Sequence, residues 1–260
     1  MTSNALVPLL KELDAWSLAG RDALFWWRDD DAAHPCPELD ELLNMTNRYG
    51  APCGLAAIPA RVGEPLARRL ESEPLIWILQ HGLAHVNHAP KGNGAWELGL
   101  HRPLPQVLAD LRQGRDILSG LFGKRFVPVV VPPWNRMDPA LWPELPGLGI
   151  RGVSAGYRRS GPTPPPGVRV VGVPCDLLDW ESGQARFSGE TRCVADLVEH
   201  LQRKRTGEHD PLLPSGILTH HLEMDRAAWN FFETLATALA RHPAARWAVP
   251  PEIWPEEART

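Results

Sequence analysis

The chain has 260 residues, 43% of them hydrophobic, enough to bury a substantial core in one large α/β domain spanning 1–260. Its 27 Lys and Arg against 31 Asp and Glu leave a net charge of -4, with no basic block or aromatic-interleaved basic stripe, which speaks against nucleic acid as a partner. No eighteen apolar residues occur in succession, and Met1 to Pro8 carry no charged leader before an apolar run, so a cytoplasmic protein with no membrane partner is expected.

In chain order, Leu6, Leu9, Leu10, Leu13 and Trp16 recur at helical spacing within residues 5–19. Leu24 to Arg28 is a buried strand that stops in three carboxylates, Asp29, Asp30 and Asp31. Pro37 to Tyr49 is a helix stopped by Gly50, Cys53 to Ile58 a strand, and Glu64 to Glu71 a helix. The strand Leu75 to Leu79 runs into Gln80 and His81, and a helix follows over Pro105 to Phe122. Phe126 to Val131 is a strand ended by Pro132-Pro133-Trp134, followed by a short helix near Pro139 to Leu145. Then come a strand at Ile150 to Ser154, a Pro-rich crossing from Ser160 to Gly167, and a strand at Val168 to Val173. A helix over Thr191 to Lys204, the strand Gly216 to Thr219, a helix over Ala227 to Arg241 and a strand at Trp247 to Val249 complete the pattern. About eight strands mostly separated by helices predict a parallel sheet curled into a (β/α) barrel.

Polar residues gather at the expected carboxyl ends of the strands: Asp29, Asp30, His81, Trp134, Asp179 and His220. That is the edge where barrel active sites assemble. Three adjacent carboxylates repel one another unless a cation sits beside them. His81 and His85, four apart, would share one side of a helical turn and grip a single ion; with Asp30 they make a His₂Asp set suited to zinc or another mid-row divalent metal. His88 competes with His81 for that role. Cys36, Cys53, Cys175 and Cys193 are scattered without a CxxC pair and suggest neither a disulfide framework nor a cysteine zinc site.

Asp29-Asp30, His81-Gly-Leu-Ala-His85, Pro132-Pro133-Trp134, Asp176-Leu-Leu-Asp179-Trp180 and Leu218-Thr219-His220 occur in the order and rough spacing of five motifs. They resemble those of the polysaccharide deacetylases, the NodB-homology or carbohydrate esterase family 4 group. The resemblance implies a distorted (β/α) barrel of about seven or eight strands and metal-dependent removal of an N-acetyl or similar acyl group from a carbohydrate or related small molecule. One divalent ion, zinc or else cobalt or nickel, would be held by Asp30, His81 and His85. Asp29 would be the general base, the backbone N–H of Trp134 an oxyanion donor, and His220 the general acid supported by Asp179. Asp31 stands where the family has Gly and has no family role, and Val131 stands where the family has Arg, with Arg28 or Arg136 as possible substitutes. Hydrolysis of a non-sugar C–N bond, or a metal-binding protein without turnover, are the alternative functions.

Overall fold

The computed structural model describes residues 4–156, 163–180 and 183–256. Ser160 to Pro162 of the expected Pro-rich crossing lie outside the described residues. The strands, in chain order, are β1 (Ala23–Ala32), β2 (Cys53–Ala57), β3 (Ile76–His81), β4 (Phe126–Val131), β5 (Gly152–Val153), β6 (Arg169–Val170), β7 (Cys175–Asp176), β8 (Leu178–Asp179), β9 (Arg186–Phe187), β10 (Ser215–Thr219) and β11 (Ala245–Trp247). The helices are α1 (Val7–Leu18), α2 (Pro37–Tyr49), α3 (Glu64–Leu70), α4 (Leu104–Phe122), α5 (Glu190–Arg205), α6 (Arg226–Arg241) and α7 (Pro250–Ile253). The helix expected near Pro139 is a 3₁₀ helix, Pro139–Glu144. Hydrogen-bonded neighbours run in the order β6-β5-β4-β3-β2-β1-β10-β7, with β11 beside β1 and β8-β9 a separate antiparallel pair. None of the described helices is long and apolar enough to cross a membrane.

Two compact units share the chain, the first made of residues 1–29, 36–53 and 173–249, the second of 30–35, 54–172 and 250–260. In the first, Phe25 to Asp29 pair in parallel with Ser215 to Thr219, and β10 continues to β7 through Leu218 and Asp176. Trp27 packs on Phe232 of α6 at 4.3 Å between ring centroids and donates from Nε1 to Thr219 Oγ1 at 2.8 Å. Helix α2 begins where Cys36 Sγ accepts the Leu39 N–H and Pro37 presets the first turn, and it ends on left-handed Gly50. Asp225 caps α6, whose Trp229, Phe231, Phe232, Leu235 and Leu239 are buried. Cys53, Cys175 and Cys193 are buried thiols, and a hydrogen bond donated by the Cys175 S–H to Cys193, together with burial, holds the Cys175 thiol well above the ordinary range.

In the second unit β3 pairs in parallel with β4, His81 opposite Val131, and β4 with β5. Both strands are almost wholly buried, as their uninterrupted apolar runs require. Helix α4 lies close to the end of β3: a Cβ on Gly114 would stand 2.5 Å from Gln80 Nε2. Gln80 uses that nearness to donate to the carbonyls of Leu111 at 2.9 Å and Gly82 at 3.1 Å. The turn after β3 is thereby tied to the helix that covers it.

Candidate metal centre

All three carboxylates lie inside β1, which runs four residues beyond the expected end at Arg28. Their environments differ. Asp29 is fully buried, and its carboxylate accepts Thr219 Oγ1–H at 2.5 Å, the His221 backbone N–H at 2.9 Å and His221 Nδ1–H at 2.5 Å. Three bonds of this kind commit both oxygens to the end of β10. Asp30 is also buried, and its negative charge acts on His81. Asp31 adopts a left-handed backbone, φ 71°, a conformation Asp tolerates better than most residues.

It is Asp31, in place of the expected Asp30, that the structure sets against the two imidazoles. Its Oδ1 lies 3.3 Å from His81 Nε2 and 3.4 Å from His85 Nε2, and the three donor atoms fall within 4.8 Å of one another. His88 is outside this group; its backbone N–H is bonded to the Trp96 carbonyl. Ligands around a tetrahedral zinc at roughly 2.1 Å stand about 3.4 Å apart, so the spacing of these donors fits such an ion. The donor types, two neutral nitrogens and one carboxylate oxygen, suit it equally.

His81 is the rigid member. It ends β3, is buried, and its Nδ1 meets the Val131 carbonyl at 2.9 Å, which assigns the proton to Nδ1 and leaves the Nε2 lone pair facing Asp31. Burial works against charge on this ring, but a proton on Nε2 would be hydrogen-bonded to Asp31 and attracted by the negative charges of Asp30 and Asp31, and these effects prevail and lift the pKa above the ordinary value. For His85 burial is the main influence, reinforced by the nearby His81, and its pKa is lowered.

The expected single helical turn carrying both histidines is absent. Residues 82–85 form a loop in which Gly82 has φ 60° and His85 φ 57°. Glu97, buried and unremarked in the sequence, accepts the N–H groups of Leu83 at 3.3 Å, Ala84 at 2.7 Å and His85 at 3.1 Å. Trp134 also has a left-handed backbone, and its ring lies 4.4 Å from that of His85, covering it from one side. Among the described residues the non-glycine left-handed positions are Asp31, His85, Trp134 and Asn135. Strain of this kind persists where the surroundings impose it, and such places tend to be functional.

Other expected residues occupy different surroundings. His220 is half-buried with the Trp180 ring 4.9 Å away, edge to face. Asp179, on β8, accepts Arg192 Nη1 at 3.1 Å. Arg136 donates to the Ala95 carbonyl and lies over the Trp96 ring at 5.7 Å. A sequence signal for the one-residue shift did exist: the pair Asp30-Asp31 is followed by the small Ala32, in the way the family pair is followed by Gly. Glu97 carried none, because the partners of its carboxylate are backbone N–H groups, which no side-chain pattern marks.

No family model and no curated protein sequence matches the chain. Solved structures do. A Mycobacterium smegmatis protein assigned to the polysaccharide deacetylases is 16% identical, with a TM-score of 0.58 over 90% of this chain and 89% of that one. The peptidoglycan deacetylase PdaC from Bacillus subtilis is 15% identical, with a TM-score of 0.51 over 88% and 87%. A family 4 acetyl xylan esterase from Clostridium thermocellum, solved with a cobalt ion, is 12% identical, with a TM-score of 0.51 over 88% and 89%. The chain therefore shares the fold of these solved deacetylases and the family 4 esterase, a distorted (β/α) barrel.

Proposed function

We propose that the protein is a metal-dependent hydrolase that removes an N-acetyl or similar acyl group from a carbohydrate or related small molecule, with residues 1–260 acting as one domain. The observation that carries the reading is the convergence of Asp31, His81 and His85 within 4.8 Å, on a fold whose solved relatives bear the names of deacetylases and esterases. Those three side chains would hold one divalent ion, zinc or in its place cobalt or nickel. When bound, such an ion polarises an acyl carbonyl and makes a neighbouring water more acidic.

The remaining roles belong to the chain's own groups. Asp29 has both oxygens engaged by Thr219 and His221, which makes Asp30 the better base. Its carboxylate would accept the proton of the attacking water. The Trp134 N–H would hold the developing oxyanion, while its ring keeps water from one face of His85. Motif order gives His220 the part of proton donor, and an imidazolium is suited to protonating an amine leaving group near neutral pH. Asp179, already paired with Arg192, would support that donor through charge. A cytoplasmic sugar derivative or glycan precursor is the substrate class this reading favours.

Metal analysis of protein purified without chelator, combined with acetate release from N-acetyl sugars, tests the proposal. An equimolar divalent ion and release of acetate are expected. Asp30→Asn should keep the ion and lose turnover, whereas Asp31→Ala should lose the ion. Protein that retains no ion and takes up neither zinc, cobalt nor nickel would refute the reading. Loss of metal from Asp30→Ala but not Asp31→Ala would return the ligand role to Asp30.

A further inference from the structure

We infer that Glu97 is a positioning residue for the metal centre: by gathering three consecutive backbone N–H groups it fixes the loop that aims His85 at Asp31 and His81. The inference rests on the metal-binding reading of those three residues. A carboxylate that is 1% exposed is costly to bury unless its oxygens are hydrogen-bonded, and here the partners are the N–H groups of Leu83, Ala84 and His85. Successive N–H groups converging in this way form an anion-binding nest. The anion that fills it is the chain's own, supplied from twelve residues beyond His85.

The loop is shaped around that carboxylate. Gly82 stands at φ 60°, and a Cβ there would lie 1.9 Å from Glu97 Oε2 and 2.8 Å from Pro133 Cγ, so no other residue leaves the carboxylate its place. His85 is itself left-handed at φ 57°, a conformation that a β-carbon opposes and that the Glu97 bond to its N–H maintains. Glu97 is anchored in turn: its carbonyl accepts Arg102 Nη2 at 3.3 Å, Arg102 pairs with Asp110, and the next residue, Leu98, is buried and bridges to Met137. His81 needs no such help, being fixed by β3 and the Val131 carbonyl. Glu97 therefore acts on the centre through His85 alone.

The test compares the parent with Glu97→Ala and Glu97→Gln, reading zinc affinity by chelator competition and the visible spectrum of the cobalt(II) form, with thermal stability as a control. Glu97→Ala is expected to bind zinc about 10–100-fold more weakly, the usual effect of removing a partner one step from a ligand, and to shift the cobalt bands. Unchanged affinity with an unchanged spectrum overturns the inference, whatever the melting temperature. Should the alanine variant fail to fold, Glu97→Gln decides: it keeps the shape but not the charge that strengthens these bonds, so weaker zinc binding is expected and parental binding overturns it. If the parent binds neither metal, the functional reading falls. Amide exchange at Leu83 to His85 then judges Glu97 by itself, with faster exchange in the variants expected and equal exchange contrary.

Discussion

Lys204 offers the sharpest quantitative test of how this structure is stabilised, because its amine is buried without a carboxylate in direct contact among the described ion pairs. It lies on α5 with Nζ 3.5 Å from Ser215 Oγ and 5.3 Å from the centre of the Trp16 ring. Burial brings its pKa from the ordinary 10.5 down to about 8; the charge of Arg21 adds to this and that of Asp210 opposes it. Below pH 8 the amine is charged in folded and unfolded chains alike, and the folded state bears the full cost. Between about 8 and 10.5 the unfolded chain retains the proton while the folded one has released it, so stability rises with pH across that window. At 1.36 kcal/mol for each pH unit the rise comes to about 3 kcal/mol. Lys204→Met keeps the apolar stem and removes the charge, giving up about 1 kcal/mol of cation–π attraction to Trp16. The variant should therefore be about 1–2 kcal/mol more stable than the parent at pH 7, an advantage that vanishes above pH 10. Urea unfolding of both proteins at several pH values from 6 to 10.5 measures this, the difference between them cancelling other groups that titrate. A constant difference across the window would refute the account of Lys204 as a buried charge.

Three further outcomes are expected. His200, whose pKa is brought from 6.5 to about 3 by burial and by the charges of Lys204, His209 and Arg203, should make the fold sensitive to acid. Its unfolded form binds the proton first, so stability should fall by up to roughly 5 kcal/mol as pH drops from 6.5 toward 3, and His200→Gln should flatten that slope in thermal melts. Gly82→Ala should cost about 3 kcal/mol or more, from the left-handed backbone together with displacement of the Glu97 carboxylate; denaturation that matches the parent within 0.5 kcal/mol would contradict the geometry. Arg205 embraces the buried Glu12 with bonds of 2.7 and 3.0 Å, and Arg205→Met, which strands that carboxylate, should cost about 2 kcal/mol in the same assay, with Glu12→Gln in the Met background recovering part of it.

Much of the scaffold was legible because local chemistry and tertiary packing agree. Pro37 after Cys36 and Gly50 after Tyr49 bound α2 as expected, and the run Phe126 to Val131 is β4 without adjustment. Strands β7, β8 and β9 could not be read, since each pairs through two residues outside any longer apolar run, whereas the equally short β5 and β6 lie within the runs Ile150 to Ser154 and Val168 to Val173. Within the candidate site, motif order marked stretches that the fold brings together, but not which carboxylate faces the imidazoles. Which of three adjacent aspartates faces His81 depends on the left-handed turn at Asp31 and on Thr219 and His221 claiming Asp29, and these partners are 190 or more residues distant. The HxxxH spacing suggested a helical turn because periodicity cannot register a carboxylate that arrives later in the chain and reshapes the backbone between the two rings.

The buried thiols lend themselves to a use of their own. A thiol reacts through its thiolate, and Cys175 is both shielded from solvent and held by Cys193 in the protonated form. An alkylating reagent can therefore modify it only when β7 and α5 part, so the pace of labelling at Cys175 would serve as a stopwatch for opening events in the native protein, kept at neutral pH without denaturant.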